Sequence, residues 1–147
     1  MIQERTFASS SLLEPTTTGL VSIFIGDGKG KTTAAIGTVI RAVGHGLRVF
    51  VVFFMKGRDY VHGEFAVLDK LPNVTMMSFG QKGWIVKDDV KPEHKKQAAL
   101  ALTSAREAML NGNYDLVVLD EVNIAIASKL VELDEVLRLI DIKPQNV

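Results

Sequence analysis

Residues 20–40, LVSIFIGDGKGKTTAAIGTVI, hold three local signals in succession. The apolar run at 20–25 reads as a strand buried on both faces. Gly26, Gly28 and Gly30 follow at alternate positions. Lys31-Thr32-Thr33 then opens a segment in which Ile36, Val39, Ile40 and Val43 recur with the i, i+3, i+4, i+7 spacing of one helix face. Strand, glycine turn, Lys-Thr and helix is the order in which a chain cradles a nucleotide's phosphates. Glycines let the backbone approach phosphate oxygens, and their N–H groups together with the helix start form a nest for anions. Lys31 supplies a positive charge, Lys29 a second one, and the Thr32 hydroxyl is placed to reach a Mg²⁺ ion. The loop is one residue short of the general pattern G-x-x-x-x-G-K-[ST], whose first glycine would fall at Ile25.

The same alternation continues along the chain. GHG at 44–46 stops the first helix, and RVFVVFFM at 48–55 is a second uninterrupted apolar strand. A loop, KGRDYVHG, leads to a short helix near 64–71, and NVTMMSF at 73–79 reads as a third strand. After a loop over 80–91, Pro92 suits the first turn of a helix whose face carries Ala98, Ala101, Leu102, Ala105 and Met109 and which ends at NGN, 111–113. YDLVVLDE at 114–121 gives a fourth strand. A last helix carries Leu133, Val136, Leu137 and Ile140, and the chain reaches KPQNV where a further strand is expected to begin. Continuous apolar strands alternating with amphipathic helices predict an α/β fold, a mostly parallel sheet covered by helices on both faces. In such folds the ligand lies at the carboxyl ends of the strands. The glycine loop, KGRDYVHG, GQKGW and DEVN all fall there. Residues 1–18 read as a flexible N-terminal arm and 19–147 as one nucleotide-binding domain.

Composition narrows the function. The 147 residues suit one core, with 47% apolar and 23% charged residues. Seventeen basic and seventeen acidic side chains balance, which removes the broad attraction used by nucleic-acid and anionic-membrane binders. With no cysteine, disulfides, thiolate metal sites and cysteine nucleophiles are excluded, and a reducing cytoplasmic setting is expected. The apolar runs are too short to span a bilayer.

The acidic pair Asp120-Glu121 at the end of LVVLDE is the second half of a nucleotide site, a carboxylate that holds Mg²⁺ directly or through water. His45, His62 and His94 form no site by spacing and read as solvated or structural. Trp84, the single tryptophan, lies in a glycine-flanked loop at the active edge of the sheet. It is either a lid on its own domain or a flat apolar surface for a large planar ligand, to which Phe79 and Tyr60 could contribute.

Taken together, GDGKGKTTAAIGTVIRAVGHG, VVFFMKG with the following Gly63-Glu64, AREAMLNGNYDLVVLDEVNIAI and LDEVLRLI resemble the P-loop type ATP:corrinoid (cob(I)alamin) adenosyltransferases, from about Leu20 onward and in the same order. Lys29, Thr33 and RAVGHG lie outside the general nucleotide motif and carry the resemblance more specifically. It implies a P-loop NTPase (RecA-like) three-layer sandwich that continues with a C-terminal strand or strands, a Thr-Gly-Arg turn and a C-terminal segment, which this sequence does not show. The shortened loop is that family's own version. The resemblance implies an ATP whose triphosphate lies reversed in the loop, exposing the ribose 5′ carbon to a Co(I) corrinoid. Triphosphate departs and an adenosylcobalamin-type product forms.

Co(I) is itself a strong nucleophile, so no base is required. The implied catalytic residues are Lys29, Lys31 and Glu121, the last as a metal-site carboxylate rather than a base. Gly26, Asp27, Gly28, Lys29, Gly30, Lys31, Thr32 and Thr33 would hold ATP. Thr32, Asp120 and Glu121 would hold Mg²⁺ (or Mn²⁺), and Trp84 and Phe79 would face the corrinoid. A reduced flavoprotein as electron donor and a homodimer are also implied. The rival readings are a P-loop ATPase or phosphotransferase, and a non-catalytic ATP- or corrinoid-binding module.

Overall fold

A computed structural model describes residues 18–57, 62–81 and 90–147. Helix α1 (Lys31–Gly44), strand β1 (Val49–Phe53), helix α2 (Gly63–Leu68), strand β2 (Val74–Ser78), helix α3 (Pro92–Leu110), strand β3 (Leu116–Asp120) and helices α4 (Val122–Ala127) and α5 (Leu133–Asp141) follow in order. The sheet is parallel, with β1 in the centre between β2 and β3. Every residue of β1 is buried, as its unbroken Val/Phe composition requires of a strand covered on both faces.

Because side chains alternate along a strand, β1 divides its load between two cores. Val49, Val51 and Phe53 pack with Val39 and Ala42 of α1 and Leu68 of α2. Phe50, Val52 and the following Phe54 pack with Ala98, Ala101 and Ala105 of α3, joined by residues of α4 and α5. The small α3 side chains allow that helix to lie close over the large aromatic residues of β1. Helices therefore cover both faces, as the alternation of elements predicts.

Register sets the edge where the site forms. Val49 is level with Val74 and Leu116, and Phe53 with Ser78 and Asp120, so all three strands end at one height. At the other end Arg48 fixes that register. Its guanidinium donates to Asp115 at 2.7 and 3.1 Å and its backbone N–H to the same carboxylate at 2.9 Å, while the Asp115 N–H donates to the Arg48 carbonyl at 2.8 Å. Gly46 and Gly112, both at positive φ, end the turns after α1 and α3 where the sequence places its stops.

Three expectations are corrected. Residues 20–25 form no strand and join no ladder among the described residues, and Leu20 and Ile25 are 83% and 78% exposed. Both ends of this segment are held elsewhere. The Gly19 N–H donates to the Gln145 carbonyl at 2.5 Å and Lys143 Nζ to the Gly19 carbonyl at 2.9 Å, while the far end enters the glycine loop. The segment thus faces the free edge of β3 across a cleft instead of pairing with it. Second, Val39 of α1 is buried with Ile36 and Val43 packed beside it, and Val136 of α5 with Ile140, as expected, but Ile40, Leu133 and Leu137 point outward while Ala35, Ala42 and Leu139 are buried. Each buried stripe is rotated from the sequence pattern by the direction from which the sheet approaches. Third, Pro144 to Val147 forms a turn, with the Val147 N–H donating to the Pro144 carbonyl at 3.2 Å.

Candidate functional site

The glycine loop is built by its backbone. Gly26 (φ 136°) and Gly30 (φ 105°) occupy conformations that side chains rarely adopt, and Gly30 leads directly into α1, its carbonyl accepting from the Ala34 N–H at 2.8 Å. A Cβ added at Gly26, Gly28 or Gly30 would meet nothing within 4 Å, so the space before the loop is open. Lys31 curls back into it: Nζ donates to the carbonyls of Gly26 and Gly28, each at 2.7 Å. An anion entering the loop would draw this ammonium away from those carbonyls.

Across from the loop lies the end of β3. Thr32, one residue into α1, donates its hydroxyl to Asp120 Oδ1 at 3.0 Å. The other oxygen of Asp120 is met by Lys56 Nζ at 2.8 Å, and Lys56 also donates to Glu64 Oε1, in the first turn of α2, at 3.1 Å. The site is therefore a chain of alternating partners, Thr32–Asp120–Lys56–Glu64, spanning the carboxyl ends of β3 and β1. Asp120 is the one buried charged residue among those described, 8% exposed, and the partners on both its oxygens are what make its burial tolerable.

Electrostatics follows from these contacts. Burial pulls the Lys56 ammonium down, but its hydrogen bonds and proximity to Asp120 and then Glu64 outweigh that and raise its pKa. Burial pushes Glu64 up, yet its backbone hydrogen bond and Lys56 bring it net below the usual carboxylate range. Glu121 is raised, first by burial and then by the adjacent Asp120 charge, with Lys56 and Lys31 only partly offsetting this. Its backbone is left-handed (φ 67°) and it heads α4.

Gly28 to Thr33 together with Asp120 and Glu121 line one cleft of about 580 Å³, continued by residues 20–24 on one side and the β3 edge on the other. Gly26 enters the site through its carbonyl, and Asp27 is exposed beside it. Phe79 follows β2 at the same edge but packs against the core cluster under α3 and does not line this cleft. Trp84 and Tyr60 lie outside the described residues. His94 has a local role: its Nδ1 accepts the Lys91 N–H at 3.1 Å in a capping box at the start of α3. Sequence reasoning missed Lys56 and Glu64 as site residues. A signal existed, since a lysine placed just beyond a strand buried on both faces must emerge at the carboxyl edge.

Among the described residues no three His, Cys, Asp or Glu side chains stand close enough to hold an ion by themselves. The oxygens of Thr32, Asp120 and Glu121 are hard donors of the kind Mg²⁺ takes, and Mg²⁺ commonly completes its shell with substrate phosphates and water. The residues therefore fit a metal that arrives with a nucleotide.

A parallel sheet covered by helices, with a glycine-rich loop opening α1 and Thr32 bonded to the buried Asp120 at the end of β3, defines an α/β protein with a cleft at the carboxyl ends of its strands. Residues 17–147 match the family described as ATP:corrinoid adenosyltransferase BtuR/CobO/CobP, and the chain belongs to that family. It is 37% identical over 128 residues to the corrinoid adenosyltransferase of Pseudomonas aeruginosa, covering 86% of this chain and 62% of that protein. The corrinoid adenosyltransferase of Escherichia coli K12 is 32% identical over 128 residues, covering 87% and 64%. The corrinoid adenosyltransferase CobA of Salmonella typhimurium is 36% identical over 127 residues, covering 86% and 63%. The chain thus spans just under two thirds of the length of these relatives.

Proposed function

We propose that this chain binds ATP in the glycine loop and supports transfer of its 5′-deoxyadenosyl group to a Co(I) corrinoid. The observation that carries this is the juxtaposition, in a member of this family, of the shortened Gly26–Gly30 loop with Lys31, Thr32 and Asp120 around one cleft. Co(I) supplies the electron pair for the new cobalt–carbon bond and becomes Co(III). The C5′–O bond breaks and its electrons leave with triphosphate.

A site for this reaction has to orient C5′ toward the metal of the substrate and stabilise a highly charged leaving group. Lys31 does so by exchanging the carbonyls of Gly26 and Gly28 for phosphate oxygens, and Lys29 adds a second cation from the exposed side of the loop. Gly26, Gly28 and Gly30 present N–H groups, and Thr32 and Thr33 hydroxyls lie at the helix start. Thr32, Asp120 and Glu121 would hold Mg²⁺ (or Mn²⁺), which would supply neutralisation of the phosphate charge. Glu121 serves as a metal-side carboxylate, because activating water there would hydrolyse ATP to no purpose.

Trp84 and Phe79 belong to the corrinoid side of the proposal, with a reduced flavoprotein supplying the electron that makes Co(I), a homodimeric assembly and a cytoplasmic setting. Among the described residues no helix is long and apolar enough to cross a membrane.

The test is anaerobic: mix the chain with cob(I)alamin, Mg²⁺ and ATP and follow the visible spectrum. Conversion to adenosylcobalamin is expected. An unchanged cob(I)alamin spectrum while ATP is hydrolysed would replace the proposal with an ATPase.

A further inference from the structure

Lys56 is held more rigidly than any contact to solvent would require. The residue before it, Met55, adopts a left-handed backbone (φ 58°), a costly conformation for a side chain without local polar compensation. The Lys56 carbonyl accepts the Ser78 hydroxyl from the end of β2. Gly80 presses against the same turn so closely that a Cβ there would lie 2.7 Å from the Met55 carbonyl carbon and 2.8 Å from the Lys56 nitrogen. Gly57 is buried against Gln81 in the same manner, where an added Cβ would sit 2.9 Å from the Gln81 carbonyl oxygen. The side chain crosses the Phe53 ring at 4.9 Å and is 13% exposed before reaching Asp120 and Glu64. Backbone strain and close packing on this scale persist where the surroundings enforce them, and what they fix here is the direction of one ammonium.

We infer that Lys56 is a positioning residue for Asp120: by occupying Oδ2 it turns Oδ1 toward Thr32 and the phosphate loop, with Glu64 as its second anchor. This rests on the proposal that the Thr32–Asp120 end of the cleft receives a metal–nucleotide complex. A lone carboxylate can present either oxygen and rotates about its last bond; one held at 2.8 Å by a fixed cation cannot. Lys31 and Lys29 belong to the loop and serve the phosphates. Lys56 belongs to the frame of the sheet and serves the carboxylate. Partners of this kind, one step removed from a metal, typically contribute about 10–100-fold to its affinity.

The test is calorimetric titration of ATP into wild type, Lys56→Met, Lys56→Arg and Glu64→Gln, each with Mg²⁺ and with EDTA. Lys56→Met is expected to lose about tenfold or more in affinity with Mg²⁺ and to change little in EDTA. Arginine, which keeps the charge, should restore part of the loss, and Glu64→Gln should show a smaller loss of the same kind. Equal losses with and without metal would make Lys56 a direct phosphate ligand and overturn the inference, as would no loss in either.

A second measurement needs no nucleotide and separates failure of this inference from failure of ATP binding. Thermal unfolding of Lys56→Met, Asp120→Asn and the double variant should show the double variant losing less than the sum of the single variants. Strict additivity would mean that Lys56 does not hold Asp120.

Discussion

Replacing Gly80 by alanine should be among the most damaging single-methyl additions in this chain. The new Cβ would stand 2.7, 2.8 and 2.9 Å from Met55 C, Lys56 N and Gly57 N, where ordinary contact begins at 3.4 Å. All three are backbone atoms of a turn already pinned by the Ser78–Lys56 hydrogen bond, so no flexible side chain can swing aside. Gly80 also sits at φ 156°, which alanine does not readily adopt. Overpacking of a tight site costs about 1–3 kcal/mol, and the wrong backbone hand adds about 1–2 kcal/mol, for a total of about 2–5 kcal/mol. In a chain of 147 residues that lowers the melting temperature by roughly 4–20 °C, at about 2–4 °C per kcal/mol.

Gly37→Ala provides the control of opposite sign. Gly37 lies inside α1 and a Cβ there meets nothing within 4 Å, so alanine should stabilise by up to about 1 kcal/mol. Urea unfolding measures both, read from the midpoint at constant slope. A loss below about 0.5 kcal/mol for Gly80→Ala, which is the scatter of ordinary surface changes, would refute the close approach of the two loops. So would a shift of the same sign for Gly37→Ala.

Lys31→Ala should reduce ATP affinity by about tenfold or more, since a charge-assisted hydrogen bond contributes about 1.5–3 kcal/mol; titration calorimetry reads it. Asp115→Asn should lower the melting temperature at neutral pH. Arg48, chiefly by hydrogen bonds, depresses the Asp115 pKa below its unfolded value of 3.8, so its stabilisation is present above that pH and fades as pH falls through the folded value. The gap between wild type and variant should therefore close under acid. Glu121→Gln should act the other way. Burial and Asp120 raise Glu121 above 4.5, so the charged form costs stability as pH rises through its folded pKa. The variant should melt higher at neutral pH and match wild type below about pH 4.5.

Much of this was legible beforehand because apolar continuity is a strong signal. The strands at 49–53, 74–78 and 116–120 lie inside the runs that predict them, and Pro92 and Gly112 mark the limits of α3. Helix α4 was not, since VNIAIA following an apolar strand has no helical period to distinguish it from that strand continuing. Its start depends on the left-handed turn at Glu121, a tertiary feature. The same limit explains residues 20–25: composition says that a segment suits a strand, but not whether a neighbour is placed to accept it. The glycine turn before α1 was legible because Gly26 and Gly30 take positive φ angles that their residue type allows. The emergence of Lys56 at the sheet edge left a signal, but its partnership with Glu64 and Asp120 did not, because it depends on two loops packing backbone to backbone through Gly57 and Gly80. Trp84 lies outside the described residues, so the corrinoid side rests on family membership.

The central claim is that the loop holds triphosphate as a leaving group rather than a phosphate to be transferred. Phosphorus NMR of the anaerobic mixture of ATP, Mg²⁺, cob(I)alamin and this chain measures that directly. Intact inorganic triphosphate, appearing in step with adenosylcobalamin, is the predicted result; ADP with orthophosphate would contradict it.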